Sequence, residues 1–174
     1  FSSRRRHTRL LTVTGVQTCA LPIFYVVFGS HNFDDCKAKV DAYRNLARKE
    51  YGRDIQVWSY AYVVQGETEK EAKDYFDLYV NKKGDWQAAT NLVDTMIANA
   101  KTLPSEVLAE MKKHFIAGWG GYPLVGSPEQ IVDGLNTLTK IGLDGVLLNW
   151  PRYETDMRWF QKRIYPMLIQ AGLR

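Results

Sequence analysis

Two periodicities alternate along this chain. FYVVF (24–28) is a continuous apolar run of β-branched and aromatic residues ended by Gly29 and Ser30, which predicts a strand buried on both faces. From Asp34 the period changes: Cys36, Val40, Tyr43 and Ala47 recur at helical spacing, and Gly52 follows a charged last turn, the mark of a helix and its stop. IQVWSYAYVV (55–64) predicts a second strand, with Trp58, Tyr60 and Tyr62 on one face and Val57, Ser59, Ala61 and Val63 on the other. Thr68 and Glu71 have capping-box spacing, and Ala72, Tyr75, Phe76 and Tyr79 give the next apolar stripe. A helical excursion continues through Trp86, Ala89, Leu92, Met96 and Ala100. A short helix after Ser105 then carries Leu108, Met111 and Phe115.

The segment AGWGGYPLVGSPEQ (117–130) reads as a glycine-rich loop leading to Ser127 as N-cap and Pro128 at the first helical position. Ile131, Leu135 and Leu138 stripe the helix that follows, and Gly142 stops it. DGVLLNW (144–150) is the third strand. A last helix runs from about Thr155 with Met157, Phe160 and Ile164 inward, and Pro166 breaks or restarts it. Strands separated by helical crossovers, with no hairpin signal, predict an α/β fold with a parallel sheet. Three parallel strands cannot close a barrel and leave open edges, so the pattern reads as part of a larger α/β domain.

The first 23 residues follow neither period. Arg4, Arg5, Arg6 and Arg9 precede an apolar stretch, as in an export signal. Thr12, Thr14, Gln17 and Thr18 dilute that stretch, however, and no small-residue cleavage site ends it. VTGVQTCALPI (13–23) and SRRRHTR (3–9) instead resemble the in-frame translation of the two arms of a sequencing adapter, separated by a barcode-sized gap. Residues 1–23 are therefore expected to be an artefact and are set apart from 24–174.

This division changes the chemistry. The whole chain carries 23 Lys and Arg against 19 Asp and Glu; without the four N-terminal arginines the count is 19 against 19. Neutrality removes the electrostatic case for a nucleic-acid or acidic-membrane partner. Setting Cys19 aside leaves Cys36 as the one thiol of 24–174, which allows no intrachain disulfide and fits a reducing cytoplasm.

Working residues in parallel α/β folds lie at the C-terminal ends of strands and in the loops beyond. His31 follows the first strand and serves either as a ligand contact or as the cap of the next helix. Tyr60 and Tyr62 either fill the interior or line a site, since two hydroxyls on one face need polar partners. GWGGYPLVG lacks the Gly-Lys-Ser/Thr of a phosphate-binding loop and reads as a connector or as a mobile lid carrying Trp119. Asn149, Trp150 and Arg152 follow the third strand, with Arg152 either binding an anion, stacking, or merely solvated. Lys112 and Lys113 read as a solvated helix face. No nucleophile triad or metal-ligand spacing appears; His7, His31 and His114 are scattered, and no catalytic residue is assigned.

WGGYPLVGSPEQIVDGLNTLTKIGLDGVLLNWPRY, followed by IYPMLIQAGLR, resembles the C-terminal end of bacterial-luciferase-like flavin-dependent monooxygenases, in particular those like the alkanesulfonate and dimethyl-sulfone monooxygenases. The resemblance runs from about residue 24 to 174. It implies a partial (β/α)8 TIM barrel: the last three βα units, strands six to eight, with a helical insertion or lid over about 66–121. It implies reduced FMN from a separate NAD(P)H:flavin reductase, O2 as co-substrate, a small organic substrate in a class that includes organosulfur compounds, and a homo-oligomer when intact. The implied cofactor- or substrate-binding residues are His31, Tyr60, Tyr62, Trp119, Asn149, Trp150 and Arg152. Tyrosines at 60 and 62 stand where the sulfonate enzymes carry Arg and His, which points away from an anionic substrate. Trp150 falls where those enzymes carry a tyrosine. Most contacts to FMN would lie in units outside this sequence, so the chain alone is expected to be inactive. A deazaflavin-dependent oxidoreductase of the same superfamily is one alternative; a secreted binding module, should the leader be genuine, is the other.

Overall fold

A computed structural model describes residues 23–26, 32–96 and 103–174. The adapter-like segment lies outside them except for Ile23, and His31 lies outside them as well. Four strands and seven α-helices are present among the described residues. They are β1 (Ile23–Tyr25), α1 (Phe33–Tyr51), β2 (Gln56–Gln65), α2 (Glu69–Phe76), α3 (Trp86–Met96), α4 (Ser105–Gly118), β3 (Tyr122–Gly126), α5 (Pro128–Ile141), β4 (Gly145–Asn149), α6 (Tyr153–Arg163) and α7 (Tyr165–Gln170). A π-helical turn, Asp77–Lys82, continues α2.

The sheet is parallel throughout and centred on β2. Trp58 pairs with both Tyr25 and Gly145, and Ala61 with both Tyr122 and Leu148. β1 and β3 therefore share one edge of β2, and β4 takes the other. The fourth strand corrects the sequence expectation, in which 117–130 was a loop. Pro123 weakens the strand signal because it cannot donate to a ladder, and here it sits in an outer strand, opposite Tyr62.

Local signals set the helix limits. The Asn32 side chain accepts from the backbone N–H of Asp34 at 2.9 Å and of Asp35 at 3.2 Å, so Asn32 rather than His31 is the cap of α1. Gly52 ends that helix at φ 59°, the left-handed conformation that glycine adopts without penalty. Ser127 and Gln130 form a complete capping box on α5, with Pro128 in its first turn. At α2 only half the box forms: Thr68 Oγ1 accepts from Glu71 N, while the Glu71 carboxylate reaches Glu67 N. Pro166 restarts rather than ends the last helix, in α7.

One face of β2 builds the main core. Val57, Ala61 and Val63 pack with Val40 of α1, Ile131, Leu138 and Ile141 of α5, Phe160 of α6, and Ile164 and Leu168 beyond it. Burying such side chains stabilises by about 1.5–3 kcal/mol each. Ser59, also on this face, is buried and donates its hydroxyl to Val26 O at 2.8 Å. At the strand N-termini the Asp144 carboxylate accepts from Arg44 Nη2 of α1 and from Val57 N of β2, both at 2.7 Å. The Asp144 N–H donates in turn to Val57 O at 2.9 Å.

The other face carries a second, smaller core. Tyr62 and Val64 are buried with Val80 and Ala117 against Tyr75, Phe76, Tyr79 and Ile116, so the excursion covers only the C-terminal half of this face. Leu147, which pairs with Tyr60, is 51 % exposed. No helix among the described residues is long and apolar enough to cross a membrane.

Candidate active site

Strand periodicity assembles the site. Tyr60 and Tyr62 point to the same side of β2, and the register puts Leu147 and Asn149 of β4 directly beside them. The end of α4 lies across this patch. A Cβ on Gly118 would stand 2.3 Å from the Tyr62 Cβ, and one on Gly121 would stand 2.8 Å from the Tyr60 ring. Glycine at both positions is what lets the helix end and the following turn lie flat on the tyrosines.

Three phenols then fasten α4. Tyr60 donates its hydroxyl to Trp119 O, Tyr79 donates to Ala117 O at 3.0 Å, and Tyr62 Oη lies 2.8 Å from His114 Nδ1. Burial raises the Tyr62 phenol far above its ordinary pKa, with the neighbouring Tyr79 and Glu110 adding to the shift. Tyr79 is raised chiefly by burial, with Tyr75 and Asp156 adding, and Tyr60 by burial. All three are neutral hydroxyls. On its other side the His114 ring faces Glu110, with Nε2 3.7 Å from Oε2. The side chains open progressively toward solvent along this line: Tyr62 is buried, His114 19 % exposed and Glu110 59 % exposed.

Trp119 closes α4 in the left-handed conformation at φ 58°, among the described residues the one non-glycine with positive φ. Its indole is 61 % exposed and meets Phe115 edge-on at 6.1 Å.

The residues after β4 are arranged differently. Asn149 stays half-buried on the tyrosine face. Trp150 turns away from it, packing on Phe160 at 5.4 Å and Tyr153 at 6.1 Å, with its buried indole N–H lacking an acceptor among the described residues. Arg152 opens α6; its guanidinium reaches the buried Asp156 carboxylate at 2.9 Å and lies over the Tyr75 ring at 4.3 Å. Arg152 is thus stacked on an aromatic ring, with its charge paired. Gln65 donates to Asp156 O at 2.5 Å and keeps a buried Oε1 without a donor among the described residues. Lys113 is not a purely solvated charge, since it pairs with Glu110 at 3.1 Å and sits 5.9 Å above Phe76.

Thus Tyr60, Tyr62, Trp119 and Asn149 come together, Trp150 turns to the helix side, Arg152 lies over Tyr75 at the rim of the second core, and His31 is outside the described residues. His114 was missed by sequence reading: its spacing from Glu110 is visible, but its partner Tyr62 is 52 residues away. Cys36 is buried, and its thiol is pushed up by that burial. Among the described residues no three His, Cys, Asp or Glu side chains gather as metal ligands.

Comparison with known proteins agrees with this architecture. Residues 22–145 match the luciferase-like monooxygenase family. The chain belongs to that family. The matched span runs from β1 to the first residue of β4 and includes the excursion that carries α4, so in this luciferase-like chain the helix over the tyrosines is inside the matched region. No curated protein matches the chain by sequence. Among solved structures it is similar to DmoA from Hyphomicrobium sulfonivorans, at 17 % identity and TM-score 0.68, covering 86 % of this chain and 37 % of DmoA. It is similar to the long-chain alkane monooxygenase LadA, at 19 % identity and TM-score 0.66 with the same coverages. It also resembles the riboflavin lyase RcaE, solved with modified FMN and riboflavin, at 18 % identity and TM-score 0.67, covering 86 % of this chain and 39 % of that one. The luciferase-like chain thus spans less than two-fifths of the length of these structures.

Proposed function

We propose that this chain is the C-terminal part, strands six to eight with an insertion over about 66–121, of a (β/α)8 monooxygenase that uses reduced FMN and O2 on a small neutral organic substrate, organosulfur compounds included. The observation that carries the reading is the Tyr60–Tyr62 patch at the C-terminal end of the parallel sheet, uncharged, half-open, and roofed by α4. In this reading β3 is an added strand at the edge of the insertion.

The described residues fit part of the cofactor. The open aromatic and aliphatic face at Trp58, Tyr60 and Leu147 suits a planar ring system. A phosphate cradle is not evident on it, because Arg152 is paired with Asp156. FMN, supplied reduced by an NAD(P)H:flavin reductase, would bring the redox chemistry with O2. The residues of this chain would exclude water and orient the substrate through neutral hydroxyls, with Tyr62 held against His114. Without the phosphate contacts the chain by itself is inactive, and the intact protein is a cytoplasmic homo-oligomer.

The test is reductase-coupled O2 uptake by the full-length protein with neutral thioethers, sulfones and alkanes. Substrate-dependent uptake with FMN is expected. Uptake that ignores substrate sinks the reading, and turnover with a reduced deazaflavin alone replaces it with a deazaflavin-dependent oxidoreductase.

A further inference from the structure

Three phenols fasten α4 to the sheet, and their acceptors differ in kind. Tyr60 donates to Trp119 O and Tyr79 to Ala117 O. A peptide carbonyl holds a hydroxyl in place but is too weak a base to keep its proton. Tyr62 instead faces an imidazole, with its Oη 2.8 Å from His114 Nδ1. Imidazole is the side chain that takes up and returns protons near neutral pH. Fastening alone does not call for one there.

The surroundings of the pair suit a further step. Tyr62 is 1 % exposed, so taking an electron from its ring while the proton stayed would leave a cation in an apolar setting, at high cost. Passing the proton to His114 leaves a neutral phenoxyl inside and moves the positive charge outward, where Glu110 Oε2 lies 3.7 Å from Nε2. A row of rings also leads away from the buried phenol. Tyr62 stacks on Phe76 at 6.3 Å, Phe76 meets Tyr79 at 5.7 Å, and Tyr79 meets Tyr75 at 5.2 Å. Half-buried Tyr75 lines an open cavity at the rim, beside Arg152.

We propose that Tyr62 is a redox-active tyrosine, which gives one electron to an oxygen-centred radical and its hydroxyl proton to His114 Nδ1. The phenol O–H bond breaks and an N–H bond forms on the imidazole. The radical RO• becomes RO−, and the pair becomes a neutral phenoxyl beside an imidazolium. A thiolate at the rim returns the electron through Tyr75 and Tyr79, becoming a thiyl radical, and the proton goes back to Tyr62. The assignment rests on the oxygenase reading for the source of such radicals, reduced flavin meeting O2, but not for the chemistry of the pair itself.

Photo-oxidation of the 174-residue chain with a ruthenium tris-bipyridine oxidant, followed by rapid freezing and electron paramagnetic resonance, tests it. A tyrosyl signal that outlives those of the exposed tyrosines is expected, and ring-deuterated tyrosine should narrow it. Tyr62→Phe should remove this long-lived signal, and Tyr60→Phe should retain it. His114→Gln keeps a hydrogen-bonding side chain without the base. It should slow radical formation by about a hundredfold, the lower end of what a positioned base contributes. Pulsed resonance on the parent carrying isotopically labelled histidine should show a ring nitrogen coupled to the radical, a readout that needs no variant to fold. The proposal is overturned if no long-lived tyrosyl radical forms in the parent, if Tyr62→Phe retains it, if His114→Gln forms it as fast as the parent does, or if no histidine nitrogen couples to it. The oxidant is supplied from outside, so a failure here is distinct from a failure of the flavin reading.

Discussion

The two faces of β2 are built from alternate residues of one ten-residue strand, yet they solve different problems. On the helix side Val57, Ser59, Ala61 and Val63 are all buried, and their partners on α1, α5, α6 and α7 make the face complete within the chain. On the other side the residues are large and hydroxyl-bearing. Their cover is an excursion fastened by three phenols, which reaches Tyr62 and part of Tyr60 but leaves Leu147 beside them half-exposed. The helix-side face shows what holds the fold, and the aromatic face is the one we propose as the site. Apolar packing that tolerates no gap serves the first, while hydrogen-bonded aromatics, which can release one partner and accept another, serve the second.

The contrast can be broken most severely at Ile131, fully buried in the helix-side core. Ile131→Ala should cost about 2–5 kcal/mol in urea or thermal unfolding; a loss well under 1 kcal/mol would mean that this core is loose. Next comes the contact between the excursion and the sheet. Gly118→Ala pushes a methyl into Tyr62 and should cost about 1–3 kcal/mol, with altered near-ultraviolet dichroism of the tyrosines and little change in far-ultraviolet signal.

Tyr62→Phe removes one hydrogen bond, expected to cost about 0.5–1.5 kcal/mol at neutral pH. It also has a pH signature. The folded-state pKa of Tyr62 lies above its unfolded value, so its contribution is fully present below about pH 10 and is lost as pH rises beyond that. Alkaline melts of the parent should therefore fall more steeply above pH 10 than those of Tyr62→Phe, by about 1.4 kcal/mol per pH unit. Equal slopes would show that Tyr62 is not buried as described. The smallest effect is expected at Leu147, exposed on the open half: Leu147→Gln should stay within about 0.5 kcal/mol, and a larger loss would reveal a cover on that face.

Much of this arrangement was legible before any coordinates. The strand alternation of 55–64 separated the two faces correctly, because a period of two leaves no choice once one face is apolar. The Ser127–Pro128 start of α5 was equally plain. The fourth strand was not legible: Tyr122–Gly126 is five residues long, contains Pro123, and follows two glycines, so local signals argued for a loop while pairing with β2 decided the outcome. The partners of the candidate site were hidden for a related reason. That Tyr62 would meet His114 and that Arg152 would lie over Tyr75 depends on how the excursion crosses the sheet, which no spacing within either segment encodes.

Asp144 has a consequence in time rather than in space. Its carboxylate and N–H tie residue 144 to Arg44 and Val57, joining segments about 100 positions apart. β4 is likewise the sole described partner of one edge of β2. During synthesis α1 and β2 must therefore wait, with that edge open, until β4 leaves the ribosome. The order of translation puts the closing of this edge about 80 residues after β2 is made, from Gln65 to Gly145, and through that interval the nascent chain needs protection from its neighbours.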